Sequence, residues 1–215
     1  MAEQEIVALL AVLQDFVPSA EEDQRFLLQG LAFSTKHAYS TLMARPDSDP
    51  LAPLIWRSKV PRKIKFFAWL LFKDRLNTRA NLAHKQVIST DICPRCAMLP
   101  ENSMHRFITC PLANRVWQRV GILPQTEDIT DFWDVPLPHH LPSKTWPLVL
   151  MSLLWKIWAA RNDMLFRNID QRSVITLRAL ISDLDLWSHR LMATGDKEDV
   201  SSWRSYLSAR CVVPL

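Results

Sequence analysis

Apolar positions recur at helical intervals along most of this chain. Ile6, Leu9, Leu10 and Leu13 share one face of a helix predicted over residues 5–14. A polar, acidic break follows at residues 18–23. A second helix is predicted over 34–43, with Ala38, Leu42 and Met43 inward, and 45–53 reads as a loop rich in Asp, Pro and Ser. A third helix is predicted from Pro61 to about Leu76, with proline in the first turn, where its missing N–H costs nothing. Its centre, Phe66-Phe67-Ala68-Trp69-Leu70-Leu71-Phe72, is apolar on every side, which predicts a place in the middle of the fold. Thr78 is placed to cap a short helix through Leu82 to Gln86.

Pro111 opens a helix through Val116 and Trp117 that ends at Gly121, where a left-handed C-cap is expected. Residues 122–145, rich in Pro, Asp and Thr, read as a connector. A helix over about 145–166 carries Leu150, Leu153, Leu154, Ile157 and Trp158, and another covers about 172–191. The two predict a helical hairpin, with a short last helix at 201–207. The expected fold is mainly α: a small helical domain followed by a C-terminal helical hairpin. The expected organisation is an acidic N-terminal segment (1–29), a central domain (30–121), the connector (122–145) and a C-terminal helical region (146–215).

Composition supports the helical assignment. Only three glycines occur in 215 residues, whereas phosphate-cradling loops and hairpin-rich β folds need glycine at positive φ. The net charge of +4 conceals an asymmetry. Residues 57–119 hold thirteen Lys/Arg against three acids, a net of +10, while the first fifty residues hold eight acids and three bases. A positive middle third makes a polyanion such as RNA or DNA an expected partner. Arg57, Lys59, Arg62, Lys63 and Lys65 are the candidate phosphate contacts, and basic charge at a helix start opposes the helix dipole, so stability does not explain it.

The candidate chemistry lies in Cys93-x2-Cys96-x8-His105-x4-Cys110. Thiolate and imidazole in this pattern suit Zn2+, a borderline-soft d10 ion that prefers a tetrahedron. Pro94 pre-sets the backbone of the Cys-x-x-Cys turn, and Pro100, Glu101, Asn102 and Ser103 suit the loop back. On one continuous α-helix, His105 and Cys110 would point about 140° apart. Pro111 disfavours helix at the residue before it, which predicts a break at Cys110 and a new helix whose N-terminus favours the Cys110 thiolate. Four protein ligands make a closed site for one structural zinc ion, with no position for a reactive water.

The residues then carry a resemblance. Phe33-Ser34-Thr35-Lys36-His37-Ala38-Tyr39, Ile55-Trp56, Val60-Pro61-Arg62-Lys63-Ile64-Lys65-Phe66-Phe67-Ala68-Trp69-Leu70 and Asp74-Arg75-Leu76-Asn77-Thr78-Arg79 resemble successive blocks of the reverse-transcriptase zinc-binding domain of plant non-LTR retrotransposons. Cys93, Cys96, His105, Cys110-Pro111 and Trp117 fit the end of that domain in order and spacing, and Asn77 replaces its usual proline. Trp155-Lys156-Ile157-Trp158-Ala159-Ala160-Arg161-Asn162-Asp163 resembles a stretch that often follows it. The resemblance implies a metal-binding role downstream of a polymerase, in a chain expected to be a freestanding C-terminal remnant.

No catalysis is expected, because polymerase, endonuclease and ribonuclease H motifs are absent; no Tyr/Phe-x-Asp-Asp occurs. The alternatives are a protein-interaction scaffold, with protein partners at the acidic and C-terminal helical parts, or a retroelement remnant without selected function. No membrane or small-molecule partner is expected, and acids in Met1-Ala2-Glu3-Gln4-Glu5 argue for an intracellular protein, nuclear or cytoplasmic. The apolar run 148–160 is interrupted by Lys156 and is shorter than the ~20 residues of a membrane span. Asp183 and Asp185 read as a solvated helix face, His139-His140 as an exposed loop, and Cys211 as a free thiol. The tryptophans, Trp56 and Trp69 included, are expected in the core.

Overall fold

The computed structural model describes residues 6, 7, 10, 11, 14, 34–43, 49–126 and 128–212, without the side chains of 37 and 41–43. Residues Met1–Ser48 and Asp49–Leu215 form two compact units. In the first, α1 covers Thr35–Met43, as the sequence predicts. Leu9 and Leu13 of the predicted first helix, the acidic break at 18–23 and Phe33 lie outside the described residues.

The second unit is built from helices. In order these are α2 (Leu51–Arg57), α3 (Arg62–Phe72), α4 (Arg79–His84), a π-helical turn (His105–Thr109), α5 (Pro111–Val120), 3-10 turns at Ile129–Asp134 and Ser143–Thr145, α6 (Trp146–Arg167), α7 (Ser173–Ser188) and α8 (Thr194–Val212). Among the described residues there is no strand, only one isolated antiparallel bridge between Ile92 and Pro100. The fold is mainly α. No helix among the described residues is long and apolar enough to cross a membrane.

The centre is α6, not α3. Residues 148–154 of α6 are buried on all sides, and α3, α5, α7, the π turn and the first 3-10 turn pack around it. α3 buries one stripe, Ile64, Phe67, Ala68, Leu71 and Phe72, at the three- and four-residue spacing of an amphipathic helix. Its Phe66 and Trp69 remain exposed. The sequence expectation fails because an apolar run within a single helix does not reveal how many neighbours it meets. α3 also ends earlier than expected. Asp74 takes φ 48°, with Arg75 N–H donating to the Leu70 carbonyl (2.7 Å) and Asp74 N–H to Leu71 (2.9 Å), a left-handed stop that closes the helix.

Local signals place other boundaries. Thr78 Oγ1 accepts from Asn81 N–H (3.3 Å) and caps α4, although that helix stops at His84. Gly121 adopts φ 75° after α5, where a Cβ would meet the Arg210 guanidinium at 2.5 Å. α2 was not foreseen; its Pro53 sits in the first turn, among N–H groups that lack helical partners anyway. The C-terminal hairpin of α6 and α7 gains α8 as a third helix, longer than the predicted 201–207, with Trp203 stacked on Trp146 at 5.4 Å. Asp183 and Asp185 are not a free polar face: they pair with Lys156 of α6 (2.8 Å) and Arg204 of α8 (2.7 Å).

Candidate metal centre and basic surface

A tight knuckle forms the first half of the site. Cys93 N–H donates to Leu99 O and Glu101 N–H to Asp91 O, both at 2.8 Å, which closes a small loop from 91 to 101. Within it, Ala97 N–H bonds the Cys93 carbonyl (2.9 Å) and Ala97 takes φ 55°, turning the backbone around the two cysteines. Asn102 Oδ1 then accepts His105 N–H at 2.7 Å and starts the turn that presents the imidazole.

The second half depends on a wide turn. Residues His105–Thr109 form a π-helix, and Cys110 N–H bonds the His105 carbonyl at 2.7 Å. This i→i+5 closure brings residue 110 over residue 105, which an α-turn would not do. The expected break is present: Cys110 is extended (φ −61°, ψ 135°) and α5 starts at Pro111. The π turn solves the spacing together with Pro111, a device the sequence pattern did not reveal.

The sulfurs of Cys93 and Cys96 and a ring nitrogen of His105 lie within 4.8 Å of one another. Cys96 Sγ and His105 Nε2 are 3.4 Å apart. Zn–S and Zn–N bonds of about 2.3 and 2.0–2.1 Å at a tetrahedral angle require a separation of about 3.5 Å, so this pair fits a zinc ion. His105 Nδ1 faces Thr109 Oγ1 at 3.1 Å. That contact suits a tautomer with the proton on Nδ1 and the Nε2 lone pair free for a metal. Cys110 stands outside the close triad but contacts Cys93.

The two touching thiols are driven apart in acidity. The hydrogen bond to Cys110, followed by burial, pushes Cys93 up to about 12. The same bond lowers Cys110 to about 6 against the cost of burial, helped by the Arg106 charge and by Leu112 N–H at the start of α5. Cys110 is therefore a thiolate at neutral pH, as its place before a helix N-terminus predicts. Cys93 keeps its proton until a cation displaces it. Zinc affinity should thus rise with pH, most steeply below about 6, where Cys110 as well as Cys93 gives up a proton on binding, and still above it, where Cys93 does. Chelator competition in buffers of different ionisation enthalpy checks this, and pH-independent affinity would contradict it.

Three participants were invisible in the spacing. Arg106 is fully buried; its Nη2 donates to the Ile157 carbonyl at 2.9 Å and its Nη1 reaches Cys110 Sγ at 3.8 Å. Glu101, also fully buried, pairs with Arg161 of α6 at 2.6 Å. Arg95 binds the connection between α6 and α7 through Asp170 and the Gln171 carbonyl. Arg106 was counted within the positive middle third, yet it is no part of the surface.

The surface cations lie elsewhere. Arg57, Lys59, Arg62 and Lys63 are exposed and Lys65 is half-buried. Lys65 Nζ donates to the Trp56 carbonyl at 2.7 Å, and Lys63 Nζ lies 5.6 Å from the Trp155 ring centre. Burial and then the like charges of Lys59, Arg62 and Arg190 lower the Lys65 pKa. Arg190 therefore joins the basic cluster from the end of α7. Trp56 and Trp69 are exposed rather than core, whereas Trp117 and Trp158 are buried as expected. His139 and His140 are exposed, and Cys211 is a free thiol.

Residues 33–117 match the family described as zinc-binding in reverse transcriptase. An Arabidopsis thaliana protein provisionally named a ribonuclease H protein is 27% identical over 118 residues, which is 52% of this chain and 19% of that protein. The chain thus spans about a fifth of the length of the curated relative it matches. No solved structure matches. Residues 33–117, whose knuckle and π turn gather three candidate metal donors, are thus similar to the family described as zinc-binding in reverse transcriptase.

Proposed function

We propose that this is a non-catalytic module in which Cys93, Cys96, His105 and Cys110 hold one structural Zn2+, and whose basic surface contacts RNA or DNA. The gathering of Cys93, Cys96 and His105 within 4.8 Å carries the metal half of this reading. Cys110, hydrogen-bonded to Cys93 beside the close triad, is the fourth ligand in this reading. Three thiolates and Zn2+ leave a charge of −1, and the buried guanidinium of Arg106 beside Cys110 offsets it without solvent. Four protein ligands leave no open position, so the ion stabilises structure and activates nothing.

The exposed cations Arg57, Lys59, Arg62 and Lys63, with Lys65 beside them, support the nucleic-acid half. Contacts to phosphate release counterions, so binding should be weakly sequence-specific and weaken with salt. An electrophoretic shift at low salt tests it directly. In a fluorescence titration with duplex DNA, the triple change Arg57→Gln, Lys59→Gln, Arg62→Gln should flatten the slope of log affinity against log salt by about 2–3. Absence of retardation at low salt, or an unchanged slope, would remove nucleic acid from the proposal and leave the zinc module standing.

A further inference from the structure

The face of α3 turned away from the core carries Arg62, Lys65, Phe66 and Trp69, residues three and four apart that are neighbours on a helix surface. Phe66 is 58% exposed and Trp69 37%. Trp56 of α2, 42% exposed, stands edge-on to Phe66 with ring centres 5.5 Å apart. Three large rings are therefore left in water on one side of the unit. Each has cations beside it: Arg57 and Lys59 follow Trp56 in the chain, and Arg62 and Lys65 stand one turn before Phe66 and Trp69. The cluster is not only a run of sequence, since Arg190 comes in from the end of α7 to act on Lys65. Like charges gathered around exposed aromatic surface weaken the fold, and a polyanion with flat apolar rings would relieve both costs.

We propose that this face binds single-stranded nucleic acid in preference to duplex. Trp56, Phe66 and Trp69 stack on unpaired bases, while Arg57, Lys59, Arg62, Lys65 and Arg190 meet the phosphates. The inference rests on the nucleic-acid reading above and adds to it the state of the strand. In a duplex the base faces are already stacked on one another, so the rings gain nothing and only the cations act. In a single strand every base offers a face, and stacking on an aromatic side chain contributes regardless of base identity.

The test uses the zinc-loaded full chain and fluorescence anisotropy with an unstructured oligonucleotide of about 20 nucleotides. A duplex of equal length and anionic phospholipid vesicles serve as the other probes. The single strand should bind about tenfold tighter than the duplex. Trp69→Ala and Trp56→Ala should each weaken the single strand by about fivefold or more and leave the duplex unchanged, and Trp69→Phe should retain most of the affinity. Arg190→Gln should weaken both and flatten the single-strand salt slope by about 0.7. Zinc content and circular dichroism of each variant report whether it is folded. Equal losses on both nucleic acids, or a preference for duplex, overturns this inference and spares the nucleic-acid reading. Binding to neither nucleic acid, or to vesicles alone, overturns both.

Discussion

Replacing Cys96 with serine should abolish stoichiometric zinc and unfold the segment from the knuckle through the π turn. Structural zinc in finger-like sites contributes an apparent ~10–16 kcal/mol near neutral pH. A domain of ordinary size has only ~5–15 kcal/mol of net stability. The loss of one thiolate therefore exceeds what the rest of the unit is able to absorb locally. Cys96 is only half-buried, so serine there removes a ligand with little effect on packing. Cys93 is a poorer choice, because it is fully buried and contacts Cys110. Metal analysis and a thermal melt measure both effects, with Cys211→Ser as the control that keeps its zinc. A Cys96→Ser protein with full zinc and an unchanged melting temperature would sink the metal assignment.

The parts of this molecule that the sequence made legible are those set by neighbours in the chain. The Cys-x-x-Cys knuckle, the break before Pro111, the Thr78 cap and the Gly121 stop each depend on a few adjacent residues, and each stands where the pattern places it. What escaped detection depends on distant partners. Phe66 and Leu71 are equally apolar, but Leu71 meets the core and Phe66 meets water, a difference decided by where α6 lies. Arg106 and Arg62 carry the same charge, yet one is sealed beside Cys110 and the other is exposed. A charge count over 57–119 could not separate them. Thr109, which holds the outer nitrogen of His105, was unremarkable until the π turn placed its hydroxyl there.

The buried pair Glu101–Arg161 was the least legible of all, because its members are sixty residues apart, and it leads to the second large prediction. Both side chains are sealed, at 0% and 3% exposure. Arg161 donates from Nη2 (2.6 Å) and Nε (3.1 Å) to one oxygen of Glu101, which also accepts Arg79 N–H at the start of α4 (3.3 Å). One carboxylate therefore joins the loop between the metal ligands to both α4 and the central helix. Removing either partner strands a charge away from water, so Glu101→Met and Arg161→Met should each cost about 3–5 kcal/mol. The double variant strands neither charge. It leaves Arg79 N–H short of an acceptor, at about 1–3 kcal/mol, and gains apolar contact, so it should lie within about 2 kcal/mol of the parent. Urea unfolding of the zinc-loaded proteins measures this cycle, and losses that simply add would show that the two residues act independently. Coupling has a consequence for the metal as well. The loop carrying Glu101 also carries the turn into His105, so each single variant should release zinc to a chelator faster than the parent, and the double variant should restore much of its retention.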